Sequence, residues 1–408
     1  MTNDQSHNAS DQLPPGVIAG ASQTGVLGVR SLHRRGIRAL CFDCNDQLPG
    51  FKSVYGPARL CPNPDTDPLG WVNFMQDLAQ ELAQKAVLIP SSDRYVTAFF
   101  QHREILEKHF HVCSGIELQA SFAEKQTQYE LALQHRMPMP VTGMINNLQE
   151  LTDFSKNLTY PCILKPWHFR EWEQFPKGHP LFCKKIVIVN SEQELILNYN
   201  LASEANPRLI VQDIIHGSDT DKRVYLACYD RNSNRIANAM FRELRCAPIG
   251  YGPASVCEPV VDPEADKVCN DFLTRAGYVG ICEIEVKRDI KDGKIKLIEA
   301  NPRLSGSGDA APYAGVDLCY IHYLDMIGQK VDPVHPNSKH FYHIVLRAEG
   351  RAIPAYMKAG LLSWKNLVKS YKPPLAFYDF DIRDWKLSLE TLLVSIITLI
   401  RNVLFKKK

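Results

Sequence analysis

Two apolar runs joined by Asp289-Ile-Lys-Asp-Gly293 set the tightest limit on how this 408-residue chain can fold. The first is Gly280-Ile-Cys-Glu-Ile-Glu-Val-Lys287 and the second is Lys294-Ile-Lys-Leu-Ile-Glu299. Asp-Gly between two strand-like runs signals a hairpin, because glycine takes the positive φ of a tight turn. Alternate residues of a strand share a face, so Glu283, Glu285 and Lys287 point one way. Across the hairpin, Glu299 and Asn301 can lie beside Glu285. Two carboxylates and an amide oxygen, with phosphate oxygens and water, make a hard oxygen set suited to magnesium. Arg303, just past the second strand, is placed to clamp a phosphoryl group. The bland alternative is a solvated strand face tied by salt bridges.

The remaining chain divides around this hairpin. Residues 1–15 are polar, lack an apolar core segment and read as a disordered lead-in. From 16 to 115 the pattern is strand, small-residue turn, helix, strand, beginning Gly16-Val-Ile-Ala-Gly20 and returning at Ala86-Val-Leu-Ile-Pro90. That order predicts a doubly wound α/β domain. From 116 to 330 the pattern becomes α+β with antiparallel pairing. A helix is expected to run to Arg136 and stop at Met137-Pro-Met-Pro140. Strand-like runs follow at 161–165, 185–189, 209–215 and 223–229. A Pro/His-rich seam opens an extension over 331–385, and an apolar helix is expected over 386–408.

Two further segments carry chemistry. Lys165 closes the apolar run Pro161-Cys-Ile-Leu-Lys165, where its ammonium can reach a phosphate as a point charge. Lys125, near the start of its helix, can do the same. In Val211-Gln-Asp-Ile-Ile-His-Gly217 an apolar strand ends in glycine, and its backbone can read a base edge. Each segment alone is compatible with a surface lysine or a plain core strand.

Taken in order, these segments resemble the ATP-grasp superfamily. The series runs Gly-Ala-Ser-Gln-Thr-Gly25, Ile89-Pro-Ser-Ser-Asp93, Glu124-Lys125, Ile163-Leu-Lys165-Pro, Val211 to Gly217, Glu283 to Asp289 and Glu299-Ala-Asn-Pro-Arg303, over residues 16 to 330. The resemblance implies a Rossmann-like domain followed by a two-subdomain fold that grips ATP. It implies that Lys125 and Lys165 bind the nucleotide phosphates. Gln212, Asp213 and Ile215 would line the adenine pocket, with Asp219 or Asp221 near the ribose. Glu285, Glu299 and Asn301 would hold Mg2+, with Mn2+ as a substitute. Within the superfamily the chain looks most similar to carboxylate–amine ligases of the D-aspartate ligase type. That likeness implies an acyl-phosphate made with ATP and coupled to an amine. Arg303 and Lys287 would act on the transferred group. Arg242 and Arg245, near the loop Gly250-Tyr-Gly252, would face the acyl acceptor, because an arginine fork binds a carboxylate with two hydrogen bonds. Where the family often has a glycine-rich phosphate loop, this chain has the bulky segment Trp167-His-Phe-Arg-Glu-Trp-Glu-Gln-Phe-Pro176, which implies a lid.

Two readings compete. Gly20-x4-Gly25-x2-Gly28 with Asp43 at the end of the next strand suggests a nicotinamide-dependent oxidoreductase, although the spacing is not that of the dinucleotide fingerprint. The other is a non-catalytic ATP-binding protein on the same fold. The net charge of +2 gives no basic field for nucleic acid. Twelve cysteines scattered among apolar neighbours suit a reducing compartment, hence the cytoplasm.

In the last segment Ser388, Thr391, Ser395, Thr398 and Asn402 recur at three- and four-residue steps, a polar stripe on an otherwise apolar helix. Its charge-free stretch, 391–400, is too short for the ~20 residues of a membrane span. The helix is expected to lie on an anionic cytoplasmic membrane surface, with Lys406, Lys407 and Lys408 on the headgroups. The alternatives are docking on the protein's own core or on the second subunit of a homodimer.

Overall fold

The computed structural model describes residues 13–404 apart from 57, 168 and 379. Most of the 1–15 lead-in, and Lys406 to Lys408, therefore lie outside the described residues. The chain forms two compact units. The first gathers residues 1–123, 218–286 and 299–408; the second holds 124–217 and 287–298.

The first unit opens with a parallel sheet of five strands, β1 (Gly16–Ala19), β2 (Ala39–Asp43), β3 (Ala58–Leu60), β4 (Ala86–Pro90) and β5 (Phe110–His111), in the order β3-β2-β1-β4-β5. Helices flank it, so β1, β2 and β4 are buried at every residue and read as continuous apolar runs. Alternation divides β1 between two cores. Val17 and Ala19 pack with Trp71, Met75 and Leu78 of the helix Pro68–Leu82. Ile18 joins a second core with Val29 and Leu32 of the helix Gln23–His33. That second core also contains Leu226, Phe241, Ile281 and Tyr323 from much later in the chain. Shared apolar burial is therefore the reason the first 123 residues group with later segments, across the boundary that composition suggests at 115.

The second unit carries an antiparallel sheet of β6 (Thr142–Ile145), β7 (Cys162–Pro166), β8 (Val187–Val189) and β9 (Leu209–Asp213), ordered β6-β9-β7-β8. Cys162 and Leu164 of β7, with Leu209 and Val211 of β9, enter its core. The other face presents Ile163, Lys165, Ile210 and Gln212, and Tyr129 packs there against Ile210. The helix expected to continue to Arg136 is two helices, Ile116–Ala123 and Lys125–Gln134. Glu124 breaks it, its carboxylate accepting from the Thr127 amide as an N-cap.

The large sheet comprises β10 (Lys222–Tyr229), β11 (Arg235–Cys246), β12 (Ala254–Pro259), β13 (Gly280–Arg288), β14 (Ile295–Asn301), β15 (Tyr342–Ile344) and β16 (Leu375–Phe377), ordered β14-β13-β10-β11-β12-β15-β16. The hairpin expected around Asp289-Gly293 is β13–β14, with Gly293 at φ +73°. In the same unit, the helix Trp385–Leu404 packs on the helix Leu346–Lys358. A Cβ on Gly350 would come within 2.9 Å of the Ser395 carbonyl, so glycine allows that close approach.

Candidate functional site

The hairpin brings its acids together in the first unit. Glu283 is buried and Glu285 is partly exposed. The Asn301 amide donates to Glu283 Oε1 at 3.0 Å, while its oxygen accepts from Arg303 at 3.0 Å. These two bonds fix which way the amide points. Glu283 Oε2 has no hydrogen-bond partner. Burial, then the charges of Glu283, Glu243 and Glu299, push the Glu285 acid well above the ordinary carboxylate value, against the pull of Lys222. Burial raises Glu283 as well. Arg303 and Lys222 oppose the rise, but burial and the neighbouring carboxylates outweigh them. Two acids and an amide are the donor chemistry of a hard divalent cation, which Glu285, Glu299 and Asn301 would hold.

Beside this crowd stands a buried cation that sequence reading missed. Lys222 Nζ lies 3.1 Å from Glu243, 3.4 Å from Asp219 and 3.7 Å from Cys246 Sγ. The ligand atoms of Asp219, Glu243 and Cys246 also lie within 4.8 Å of one another. An ammonium already neutralises that cluster, so it is an ion-pair hub. The signal was present in β11: Ala237, Ala239 and Phe241 form its core face, and the next inward position is a glutamate.

Other expected residues have defined surroundings. Both oxygens of Asp219 are engaged, with Tyr356, Lys222 and the Gly250 amide. Burial would raise this acid, but the Tyr356 hydroxyl and Lys222 outweigh it and hold the carboxyl below its ordinary value. Asp219 is thus tied inward rather than offered to a ribose. Asp221 is more open and accepts from Ser218.

β11 carries register shifts between Glu243 and Arg245 and between Arg245 and Cys246, and Glu243 and Arg245 are both buried. Arg245 pairs with Glu349 and donates to Ser370 at 3.0 Å, so this pairing removes it from the expected acceptor role. Arg242 is partly exposed and pairs with Glu258. Arg303 binds Asp93 through two bonds, at 2.8 and 3.0 Å.

In the second unit, Lys165 Nζ donates to the Tyr129 hydroxyl at 2.6 Å and to Gln212 Oε1 at 3.1 Å. Gln212 in turn donates to Thr142 at 2.7 Å. Tyr129 is a second residue that sequence reading missed. Lys125 opens its helix. The Asp213 carboxylate accepts from the Thr159 amide at 3.0 Å, and Ile215 lies just past β9. Lys287 is buried and donates to the Gly217 carbonyl at 2.7 Å, which ties it to backbone. A groove of about 380 Å³ touches Asp213 and Ile214 but none of Lys165, Gln212 or Ile215. The aromatic segment expected as a lid is anchored: Trp172 and Phe175 are buried in the unit's core and Trp167 donates to Glu124 at 2.9 Å. Side chains of that size hold a loop by burial.

The nicotinamide reading loses its two supports. The Asp43 carboxylate accepts from the amides of Ala21 and Asn45, stabilising the turn after β1. A Cβ on Gly25 would lie 1.8 Å from the Gly20 carbonyl, so this glycine serves close packing of helix on strand.

No family model matches the chain. The chain is 27% identical to a D-aspartate ligase of Enterococcus faecium (strain Aus0004) over 292 residues, 67% of each protein. Its fold is similar to that of an N5-carboxyaminoimidazole ribonucleotide synthetase solved with ADP, at a TM-score of 0.63 and 14% identity, covering 94% of this chain and 97% of that one. It is also similar to the biotin carboxylase domain of the Hydrogenobacter thermophilus 2-oxoglutarate carboxylase, solved with MgADP and bicarbonate. There the TM-score is 0.59 at 18% identity, over 78% of this chain and 71% of that one.

Proposed function

We propose that this chain, whose fold is that of the ATP-grasp structures it resembles, is an ATP- and magnesium-dependent ligase joining a carboxylate to an amine. The observation that supports the reading is the hairpin that sets Glu283, Glu285 and Glu299 near one another, with oxygens that suit a hard cation. The likeness to a D-aspartate ligase supports an amino-acid-like substrate.

A carboxylate is a poor acyl donor because oxide would have to leave. In the proposed reaction a carboxylate oxygen attacks the γ-phosphorus and ADP departs. The amine then attacks the acyl carbon, the C–O bond to phosphate breaks, and the amine gives up a proton. When bound, magnesium would screen the phosphate oxygens from the incoming carboxylate. Lys125 and Lys165 would neutralise phosphate, with Lys165 aimed by Tyr129 and Gln212. Asp213 and Ile215 would offer backbone to the adenine edge, and Asp221 would meet the ribose. Arg303, preorganised by Asp93 and Asn301, would stabilise the transferred phosphoryl. Arg242 is the arginine left for the acceptor's carboxylate, and Lys287 would brace the segment at Gly217. Twelve free cysteines favour a cytoplasmic setting.

The test is phosphate release from ATP across a panel of amino acids and amines. Release that needs a particular carboxylate–amine pair, and that falls by at least about 100-fold in Glu299→Gln, supports the reading. ATP binding without turnover on any pair would instead make this a non-catalytic ATP-binding protein.

A further inference from the structure

The helix Trp385–Leu404 is turned opposite to the usual surface helix. Its polar residues face the protein: Ser388, Thr391 and Ser395 are buried. Ser395 donates to the Thr391 carbonyl at 2.7 Å, Ser388 donates to the Asp381 carbonyl, and Asn402 donates to the Gly350 carbonyl. Its apolar residues face outward. Leu389, Leu393, Ile396, Ile397 and Ile400 are 43–62% exposed, and their spacing of four, three, one and three residues makes one stripe. Ile382 and Trp385 extend it at the N-terminal end, at 80% and 58% exposure. Isolated exposed apolar residues are ordinary, but a continuous apolar stripe marks an interaction surface.

The charges around the stripe select its occupant. Arg383 and Lys386 at one end and Arg401 at the other are exposed and have no acidic partner among the described residues. The nearby acids are already engaged. Asp381 is buried against Arg30, Arg34 and Tyr55, Asp384 accepts from Ser53, and Glu390 pairs with Lys52. In the sequence Lys406, Lys407 and Lys408 add to the positive end. A second copy laid along this stripe, parallel or antiparallel, would set cationic ends against cationic ends. An anionic lipid leaflet supplies the opposite charge at both ends and an apolar phase between them. Trp385 suits the boundary, since tryptophan has an apolar body and a polar N–H.

We propose that this helix docks the protein on an anionic membrane surface, lying in the interface with its Leu389-to-Ile400 stripe in the acyl boundary. A helix of this length is about 30 Å long, and its apolar stripe runs along one side only, as in a helix lying in the interface. No helix among the described residues is long and apolar enough to cross a membrane. The inference is independent of the catalytic assignment, since none of these residues belongs to the proposed site.

The test uses the full chain and flotation with vesicles of phosphatidylcholine alone or with roughly 30% phosphatidylglycerol, alongside sedimentation velocity without lipid. Wild type should float with the anionic vesicles. Leu393→Gln/Ile397→Gln/Ile400→Gln should lower partitioning by at least about tenfold. Arg383→Gln/Lys386→Gln/Arg401→Gln should lower it several-fold toward the value on neutral vesicles, and about 0.5 M salt should weaken it only partly. All variants should keep the wild-type melting temperature, because the altered side chains point to solvent. No flotation of wild type, or equal flotation of the apolar variant, overturns the proposal. A lipid-free dimer that the apolar variant dissociates, and that vesicles do not disperse, assigns the stripe to a second copy and overturns it as well.

Discussion

Replacing Lys222 by methionine keeps most of the buried stem and removes only the charge. In the native chain its ammonium lies 3.1 Å from Glu243 and 3.4 Å from Asp219, with none of the three side chains more than 6% exposed. At an effective dielectric near 20 each contact is an attraction of about 5 kcal/mol. Desolvation of the three charges offsets most of that sum. Removing one partner of such a buried pair strands the others, at a cost of about 3–5 kcal/mol. For a chain of this size that is roughly 3–6 °C in melting temperature. The loss should shrink as pH falls from 7.5 toward 5. Burial already raises the Glu243 acid, and Lys222 opposes that rise. Without the ammonium it rises further above its unfolded value of about 4.3. A carboxyl raised on folding favours the folded state at low pH and costs stability as pH climbs through its folded value. Thermal melts by circular dichroism across that range measure both effects. The double variant Lys222→Met/Glu243→Gln should recover part of the loss. A loss below about 1 kcal/mol, the scale of a solvated pair, would refute the argument that this network is buried and coupled.

Three other outcomes are expected. Burial lowers the His322 pKa to about 4, so the unfolded chain binds a proton that the folded one refuses between that value and the ordinary 6.5. Stability should therefore fall by on the order of 2 kcal/mol from this residue between pH 7 and 5, and melts of His322→Leu should show a flatter pH dependence. MgATP should raise the melting temperature while NADH and NADPH do not, and Lys165→Ala should reduce the shift, read by differential scanning fluorimetry. Arg245→Leu should destabilise by about 3 kcal/mol or more because it strands Glu349. Arg242→Ala should instead raise the apparent KM for the acceptor with a smaller effect on stability, which separates the two arginines by urea titration and steady-state kinetics.

Much of the topology was legible because it rests on local signals. The apolar runs at β1 and β4 and the Asp-Gly turn at Gly293 each specify their own element. Strand alternation likewise places Glu283 and Glu285 on one face, and the hairpin sets Glu299 near them. What stayed hidden depends on partners distant in sequence. Lys222 acquires meaning from Glu243, 21 residues on, and Arg245 from Glu349, 104 residues on. Arg245 falls in alternation with the inward Phe241 and Glu243, but nothing local reveals the Glu349 that takes its charge. The last helix shows the same limit. Its stripe was evident from spacing, but which side meets the protein depended on the Gly350–Ser395 approach.

Activation of the carboxylate as an acyl-phosphate leaves a mark in the fate of its oxygen. The carboxylate substrate found in the amino-acid panel would be prepared with oxygen-18 in its carboxyl group and turned over with MgATP and the amine. Labelled oxygen should appear in the released inorganic phosphate, because the carboxylate oxygen bonded to phosphorus leaves with it when the amide forms. Product formation with unlabelled phosphate, or with AMP and pyrophosphate in place of ADP, would contradict activation as an acyl-phosphate.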